Sequence, residues 1–339
     1  MREIGSEYWD VPTTEKENGL FPTYVQWFIS GRSGLKSIIT ELKGYHTVAM
    51  PSWCCDSMIK PFVDAGMEIH FYPVFWEYGL IQELSLDCDV LFLMDYFGYT
   101  SDEIALTEYK GVVIRDVTHS VFSKSYSDAN YFFGSLRKWA GIWTGGYAWA
   151  RDRHELLIEC SDDYDYVCLR EKAMLLKLKY LNGMENHNDS AVTDKLYLRI
   201  FDEAESALEK VEIAPAAERD VYLAKRIAVE DIKARRRNNA EILRAAFKDW
   251  LIFPELNSTD CPMFVPILVP DGRRDELKHF LITNDIYCPA HWPISGLHKL
   301  DSKEKNLYDS VLSLVCDQRY TEEDMARIVN TVDDFWREA

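Results

Sequence analysis

The chain has 339 residues, 47% of them hydrophobic and 13% aromatic. That is enough apolar surface for one large domain or two ordinary ones, and it excludes a globally disordered chain. A net charge of −18, from 38 Lys and Arg against 56 Asp and Glu, argues against nucleic acid or an anionic membrane as the main partner, because counterion release needs clustered cations.

The one basic run, Lys233 to Arg237, is interrupted and flanked by acids, and reads as an exposed helix face. The N-terminus shows neither an apolar signal core nor an Arg-rich transit pattern. No apolar run approaches the roughly 20 residues of a membrane span, so a cytoplasmic protein is expected. The eight cysteines are scattered, without C-x-x-C pairs or zinc spacing. They read as reduced, mostly buried thiols, and no metal is expected.

In chain order, short apolar runs alternate with helical patterns. Strands are expected over His46–Met50, Glu68–Val74, Asp89–Tyr96, Gly111–Arg115, Asn130–Phe133 and Tyr147–Ala150. Helices are expected over Gly34–Leu42, Cys55–Ala65 and Asp102–Glu108. Such alternation predicts an α/β fold with a mainly parallel sheet between helical layers, a three-layer αβα arrangement. Val-Leu-Phe-Leu-Met is apolar throughout, as suits a strand covered on both faces. From about Asp163 to Lys248 the pattern is helical, interrupted at Pro215, with one long helix predicted from Glu218 to Phe247. A smaller α+β region follows: strand Pro262–Pro270, helix Gly272–Thr283, short strands Ile286–Cys288 and Leu312–Cys316, and a last helix behind the N-cap Thr321. The expected division is a large unit over residues 1–217, then a linking helix and small unit over 218–339.

Three segments carry chemistry. Ser30-Gly31-Arg32-Ser33-Gly34-Leu35 precedes a helix, where glycines free the backbone to wrap an anion and the helix N-terminus adds amide donors. Arg32 and the Ser33 hydroxyl can add charge-assisted bonds. The same residues also read as an ordinary glycine-containing helix start, and a P-loop fails on lysine position and glycine spacing. Asp116 sits at the carboxyl end of the apolar run Val112–Ile114, where open α/β sheets bind ligands. Such a carboxylate can keep a pyridine nitrogen protonated; it can equally be an N-cap or a surface acid. Lys138 follows the next strand, and its aromatic neighbours Phe132, Phe133, Trp139 and Trp143 are expected to desolvate its amine. A lysine so placed can form a Schiff base with an aldehyde cofactor. Ser135, three residues earlier, has the Ser-x-x-Lys spacing that sets a hydroxyl near a cofactor phosphate, and Gly145-Gly146 permits close backbone approach.

In order and spacing these segments resemble the DegT/DnrJ/EryC1/StrS aminotransferases, a branch of the fold-type-I enzymes that use pyridoxal 5'-phosphate (PLP). The likeness runs from about Phe28 to about Asp324. Ser30–Leu35 is similar to the family's phosphate motif, Pro51 to Ala65-Gly66 to its Pro-to-Ala-Gly segment, and Asp116-x-x-His119 to its Asp-x-x-(Gln/His). Lys138 with Gly145-Gly146 is similar to its lysine and glycine pair, and His291-Trp292-Pro293 to a stretch at the site mouth. Departures are Arg32 for the usual Thr, Cys55 for the usual stacking aromatic, and Ser-Leu-Arg-Lys before Trp139. The resemblance implies that Lys138, Asp116 and His119 are catalytic and that Gly31, Arg32, Ser33, Ser135 and the ring of Trp53 hold PLP. It further implies substrate contacts from His291 and Trp292, an amino-acid donor such as glutamate, a small carbonyl acceptor such as a keto-sugar, and a homodimer. A PLP-dependent lyase or dehydratase, or a non-catalytic PLP- or nucleotide-binding protein, is the alternative. Related dehydratases lose the lysine or add an iron–sulfur cluster, whereas Lys138 is present and the cysteines lack cluster spacing.

Overall fold

The computed structural model describes residues 3–338 except 86, 101–105, 107, 108, 124–128, 160–164 and 187–194. Its strands are β1 (Ile4–Gly5), β2 (Gln26–Phe28), β3 (Thr47–Pro51), β4 (Glu68–Tyr72), β5 (Val74–Trp76), β6 (Leu80–Gln82), β7 (Val90–Met94), β8 (Val112–Asp116), β9 (Tyr131–Ser135), β10 (Gly146–Ala150), β11 (Val265–Leu268), β12 (Ile286–Tyr287) and β13 (Val311–Leu314). The helices are α1 (Gly31–Thr40), α2 (Asp56–Asp64), α3 (Asp165–Asn186), α4 (Leu196–Leu208), α5 (Glu218–Ala224), α6 (Val229–Ala246), α7 (Arg274–Thr283), α8 (Ser302–Ser310) and α9 (Glu322–Arg337).

Seven strands form one sheet in the order β2-β10-β9-β8-β7-β3-β4. Neighbours from β9 to β4 run parallel, and β10 runs antiparallel to both β2 and β9. This is the mostly parallel α/β sheet that the alternating pattern predicts. All five residues of β7 are buried, as a strand covered on both faces requires. Helices α1 and α2 pack on the sheet, and Ala224, Ile232, Leu307 and Tyr308 from α5, α6 and α8 join the same core. The chain leaves β3 for β4 on one side and builds β7, β8 and β9 on the other, so the carboxyl ends of β3 and β7 flank a topological switch point.

A second core lies around the β11–β13 pair. It takes Leu243 from α6, Val332 from α9, and Ile4 from the N-terminus, because β1 pairs in parallel with β12. The N-terminal strand therefore belongs structurally with the C-terminal unit.

Several elements differ from expectation. The helix predicted over Asp102–Glu108 lies almost wholly outside the described residues. The long helix predicted from Glu218 to Phe247 is two, α5 and α6. The intervening backbone is taken by the N-terminal segment: Thr14 N–H donates to Arg226 O (2.8 Å), Asn18 N–H to Lys225 O (2.8 Å) and Ala228 N–H to Pro12 O (2.9 Å). Helix α8, which the pattern reading did not include, opens on a capping box between Asp301 and Glu304. Helix α1 begins at Gly31 rather than Gly34, behind Ser30, whose Oγ accepts from Ser33 N.

Two glycines let α1 sit where it does. A Cβ on Gly31 would lie 3.1 Å from Gly134 O, and one on Gly146 only 2.1 Å from the carbonyl of Ser30. Strand β10 therefore passes directly against the start of α1. Gly146→Ala should displace that helix start and lower stability by about 1–3 kcal/mol, read by denaturant unfolding; a variant as stable as the parent would contradict the packing.

Candidate active site

Asp116 is the last residue of β8 and is 4% exposed. Its Oδ1 accepts from Thr118 N (2.8 Å), and it makes no ion pair among the described residues. Arg115, the adjacent cation, is turned to Asp95 (Nε–Oδ1 3.0 Å). Burial pushes the Asp116 carboxyl up to about 6, against the pull of the Thr118 bonds. One strand over, β9 ends at Ser135, and a single 3₁₀ turn, Leu136–Lys138, carries the lysine back over the sheet end.

These ends converge with the start of α1 on an inner chamber of about 240 Å³. Asp116, Lys138, Ser135, Gly31, Arg32 and Met94 are on its wall. Three features prepare it for a ligand. The first amides of α1, those of Gly31 and Arg32, have no intrahelical acceptor. Arg32 Nε is buried without a hydrogen-bond partner. The Ser135 hydroxyl makes no hydrogen bond among the described residues. An outer chamber of about 660 Å³ adjoins it and includes His291, Phe264, Tyr287 and Lys278. Six residues line both: Glu7, His119, Arg137, Lys138, Glu205 and Trp292. They form the neck between the chambers. A larger cavity of about 760 Å³ beside Phe21, Trp149 and Ile227 contains none of the predicted site residues.

His119 is buried between Phe97 (ring centroids 5.1 Å apart) and Trp292 (5.8 Å, nearly parallel). Its Nδ1 accepts from Phe97 N (3.3 Å), which leaves the proton on Nε2. Burial, reinforced by Lys138, holds the ring neutral, with its pKa lowered to about 3. His291 lies on the outer chamber alone, half-buried, with Nδ1 2.8 Å from Ser313 Oγ.

Three sequence-based expectations are corrected. The Ser33 hydroxyl does not face the chamber; it donates to Glu212 O (2.8 Å) and accepts from Ala214 N (2.9 Å), pinning α1 to the 212–214 segment. Trp53 is fully buried behind the wall, stacked on Tyr96 (5.0 Å), with its Nε1 donating to His291 O (3.0 Å). Trp292, edge-on to Trp53 at 5.5 Å, is the indole that reaches both chambers. Finally, the aromatics around Lys138 do not enclose its amine. Phe132 stacks on Trp149, Trp139 is buried under Arg236, and Arg219 covers Trp143. Of the four only Phe133 borders the chamber, and Lys138 is exposed.

The sequence reading missed Glu7, Arg137, Arg170 and Glu205. Arg170 is 1% exposed and binds Glu7 (Nη2–Oε2 2.7 Å) and Glu205 (Nη1–Oε1 3.4 Å); Arg137 also binds Glu205. These residues come from the N-terminus, the lysine turn, α3 and α4, and no local spacing joins them. A deeply buried lysine, Lys177, stands behind them. Burial, then Arg319, lowers its pKa to about 7, but its amine is spent on Ser6 Oγ (3.1 Å) and Glu7 O and reaches neither chamber.

No protein-family model matches the sequence, and no curated protein matches it. Solved structures do match in fold. A DegT DnrJ EryC1 StrS aminotransferase from Brucella abortus aligns with a TM-score of 0.59 at 16% identity, over 92% of this chain and 85% of that one. The PLP form of Spr1654 from Streptococcus pneumoniae aligns at 0.62 and 11% identity over 98% of each chain. PseC from Helicobacter pylori, an aminotransferase involved in the biosynthesis of pseudoaminic acid, aligns at 0.59 and 13% identity, over 98% of this chain and 100% of that one. The chain thus has the fold of the DegT-type sugar aminotransferases from end to end.

The raised acid has a measurable consequence. With a folded value near 6 against about 3.9 unfolded, native Asp116 keeps a proton that the unfolded chain releases. Its effect on stability is neutral below about pH 4, worsens up to about pH 6, and is a constant penalty of on the order of 2–3 kcal/mol above. Asp116→Asn should therefore stabilise the ligand-free protein at pH 7.5, and the gain should vanish toward pH 4. Denaturant unfolding at the two pH values checks this; a gain of equal size at both would contradict it.

Proposed function

We propose that the chain is an aminotransferase that works with PLP in the inner chamber. It passes an amino group from an amino acid such as glutamate to a keto-sugar or related small carbonyl compound. The observation that carries this reading is the conjunction, in one small chamber, of a buried acid that makes no ion pair among the described residues, an accessible lysine, and an anion cup. The residues fit PLP by the charge each needs. Asp116 makes no ion pair among the described residues, and a protonated pyridine nitrogen would give it one. The amides of Gly31 and Arg32, the orphaned Arg32 Nε and the Ser135 hydroxyl suit a phosphate. Two of the matching structures, the PLP form of Spr1654 and the aminotransferase involved in the biosynthesis of pseudoaminic acid, support the same reading.

Bound there, PLP supplies an aldehyde for the Lys138 amine and a ring that accepts the charge left when a proton leaves the substrate carbon. The protein's share is positioning and proton handling. Asp116, ionised once a cation faces it, is the counter-ion that keeps the ring nitrogen protonated. Lys138 Nζ, when its amine is free, would take the proton from the donor's α-carbon and later return one as an acid. His119 Nε2–H, on a ring that burial keeps neutral, donates to an oxygen at the neck. Trp292 closes the neck against water, and His291 borders the chamber that the acceptor enters.

In this reading residues 1–217 are the cofactor-binding unit and 218–339 the linking segment and small unit, with β1 lent to the latter. The working form is a homodimer in the cytoplasm. No described helix is long and apolar enough to cross a membrane.

Adding PLP should give the protein a visible absorption band that Lys138→Ala abolishes. Glutamate should then convert the parent's spectrum to the pyridoxamine form and release about one equivalent of 2-oxoglutarate per chain. A band that survives the substitution, or a spectrum indifferent to glutamate, would contradict the proposal.

A further inference from the structure

The chemistry above gives the cofactor's phosphate and ring nitrogen their partners but leaves the donor's carboxylate without one. The inner chamber has donors to spare. The Nε atoms of Arg32, Arg137 and Arg170 are all buried without a hydrogen-bond partner, and all three residues are on its wall. Arg32 belongs to the anion cup at the start of α1. The other two stand apart from it, on the lysine turn and on α3, so the chamber is built for a second anion as well as a phosphate.

The cations near Lys138 differ in what they have left to give. Arg170 is 1% exposed, and both its Nη atoms are taken, Nη2 by Glu7 (2.7 Å) and Nη1 by Glu205 (3.4 Å). Arg319, on the outer chamber, is spent on Asp317 (2.9 and 2.8 Å) and on the N-terminal strap, through Ser6 O (3.1 Å) and Glu7 O (3.0 Å). Lys278 lines the outer chamber but not the inner one. Arg137 alone among these lines both chambers with a nitrogen free. Its Nη2 binds Glu205 Oε1, its Nη1 makes no hydrogen bond among the described residues, and its side chain keeps 14% exposure.

That guanidinium is set in place in the ligand-free protein. It lies over the ring of Tyr166 (5.5 Å), which is fully buried and tied through Oη to Trp143 O (2.5 Å). Glu205 holds it from α4, and Arg170, resting on Phe201 (4.8 Å), holds Glu205 from α3. The neighbouring acids do not make the place repel an anion. Burial alone would raise the Glu7 carboxyl, but Arg170, Arg137 and Lys138 outweigh it and hold it down to about 2, so these three cations converge there on two acids, Glu7 and Glu205.

We propose that Arg137 binds the α-carboxylate of the amino-acid donor through the Nη1 that Glu205 leaves free, with Glu205 and Arg170 as its positioning residues. Arg137 and Lys138 are consecutive on one 3₁₀ turn and line the same two chambers. The α-carboxylate is bonded to the carbon whose proton Lys138 takes, so the two side chains act on adjacent atoms. A guanidinium held in one plane gives that carboxylate a direction as well as a charge. The proposal rests on the reading of the chain as a PLP-dependent aminotransferase.

The test uses the PLP-loaded protein and three donors of one size: L-glutamate, its α-amide isoglutamine and its γ-amide glutamine. Each is added in increasing concentration while the visible band is followed. In the parent, isoglutamine should need about tenfold or more the concentration of glutamate for half the response. Arg137→Gln should raise the glutamate requirement about tenfold and leave that for isoglutamine within about twofold, closing the gap. Arg137→Lys, which keeps the charge and the pair with Glu205 but not the plane, should fall between, and it carries the same test if Arg137→Gln does not fold. The band formed with PLP checks that each variant keeps its cofactor site. Equal parent responses to glutamate and isoglutamine, or a gap that survives substitution, would overturn the proposal. A substitution that closes only the gap between glutamate and glutamine would also overturn it, because the side-chain carboxylate would then be the group held. A parent that gains no band with PLP, or whose band ignores glutamate, sinks the underlying reading instead.

Discussion

Burying a carboxylate without an ion pair is costly, and the arrangement around Asp116 sustains that cost. The acid is 4% exposed at the end of a parallel strand that is buried from Val113 onward. The adjacent Arg115 is committed to Asp95. What surrounds Asp116 is Thr118, a neutral His119 and an accessible lysine. A fold that holds such an acid carries an electrostatic cost that a proton or a cationic partner relieves. The switch point between β3 and β7 opens the sheet end for that ligand, and the close pass of β10 against α1 sets the anion cup beside it.

The two lysines of this region show how position overrides reactivity. Burial brings the Lys177 amine to about 7, so that it is in good part the neutral, nucleophilic form at neutral pH. It is nevertheless locked under the N-terminal strap with its protons given to Ser6 and Glu7. Lys138 lies open on both chambers. The buried amine serves geometry, holding the N-terminal segment that carries Glu7, while the exposed one lines both chambers and is the one assigned to chemistry in the proposed function.

The sheet and the centre of the site were legible because they are local. Each parallel strand is a short apolar run with turn residues after it, and Asp116, Ser135 and Lys138 stand immediately after such runs, where α/β sheets bind ligands. What escaped is non-local or depends on side-chain direction. Glu7 meets Arg170 across 163 residues of sequence, a contact that no spacing rule contains. Ser33 and Trp53 lie in the right segments but point the wrong way. A helix periodicity that continues from Glu218 to Phe247 gives no warning that the N-terminal segment claims the backbone of residues 225–228. The Asp301–Glu304 capping box was a readable signal, and it marks the start of α8.

In the proposed function Lys138, and no other amine, is the covalent anchor of the cofactor. Borohydride reduction of the PLP-loaded protein, followed by digestion and mass spectrometry, tests it directly. The account predicts a phosphopyridoxyl group on the peptide containing Lys138 at about one per chain. Label on Lys177 or Lys36 instead, or no stable label at all, would contradict it.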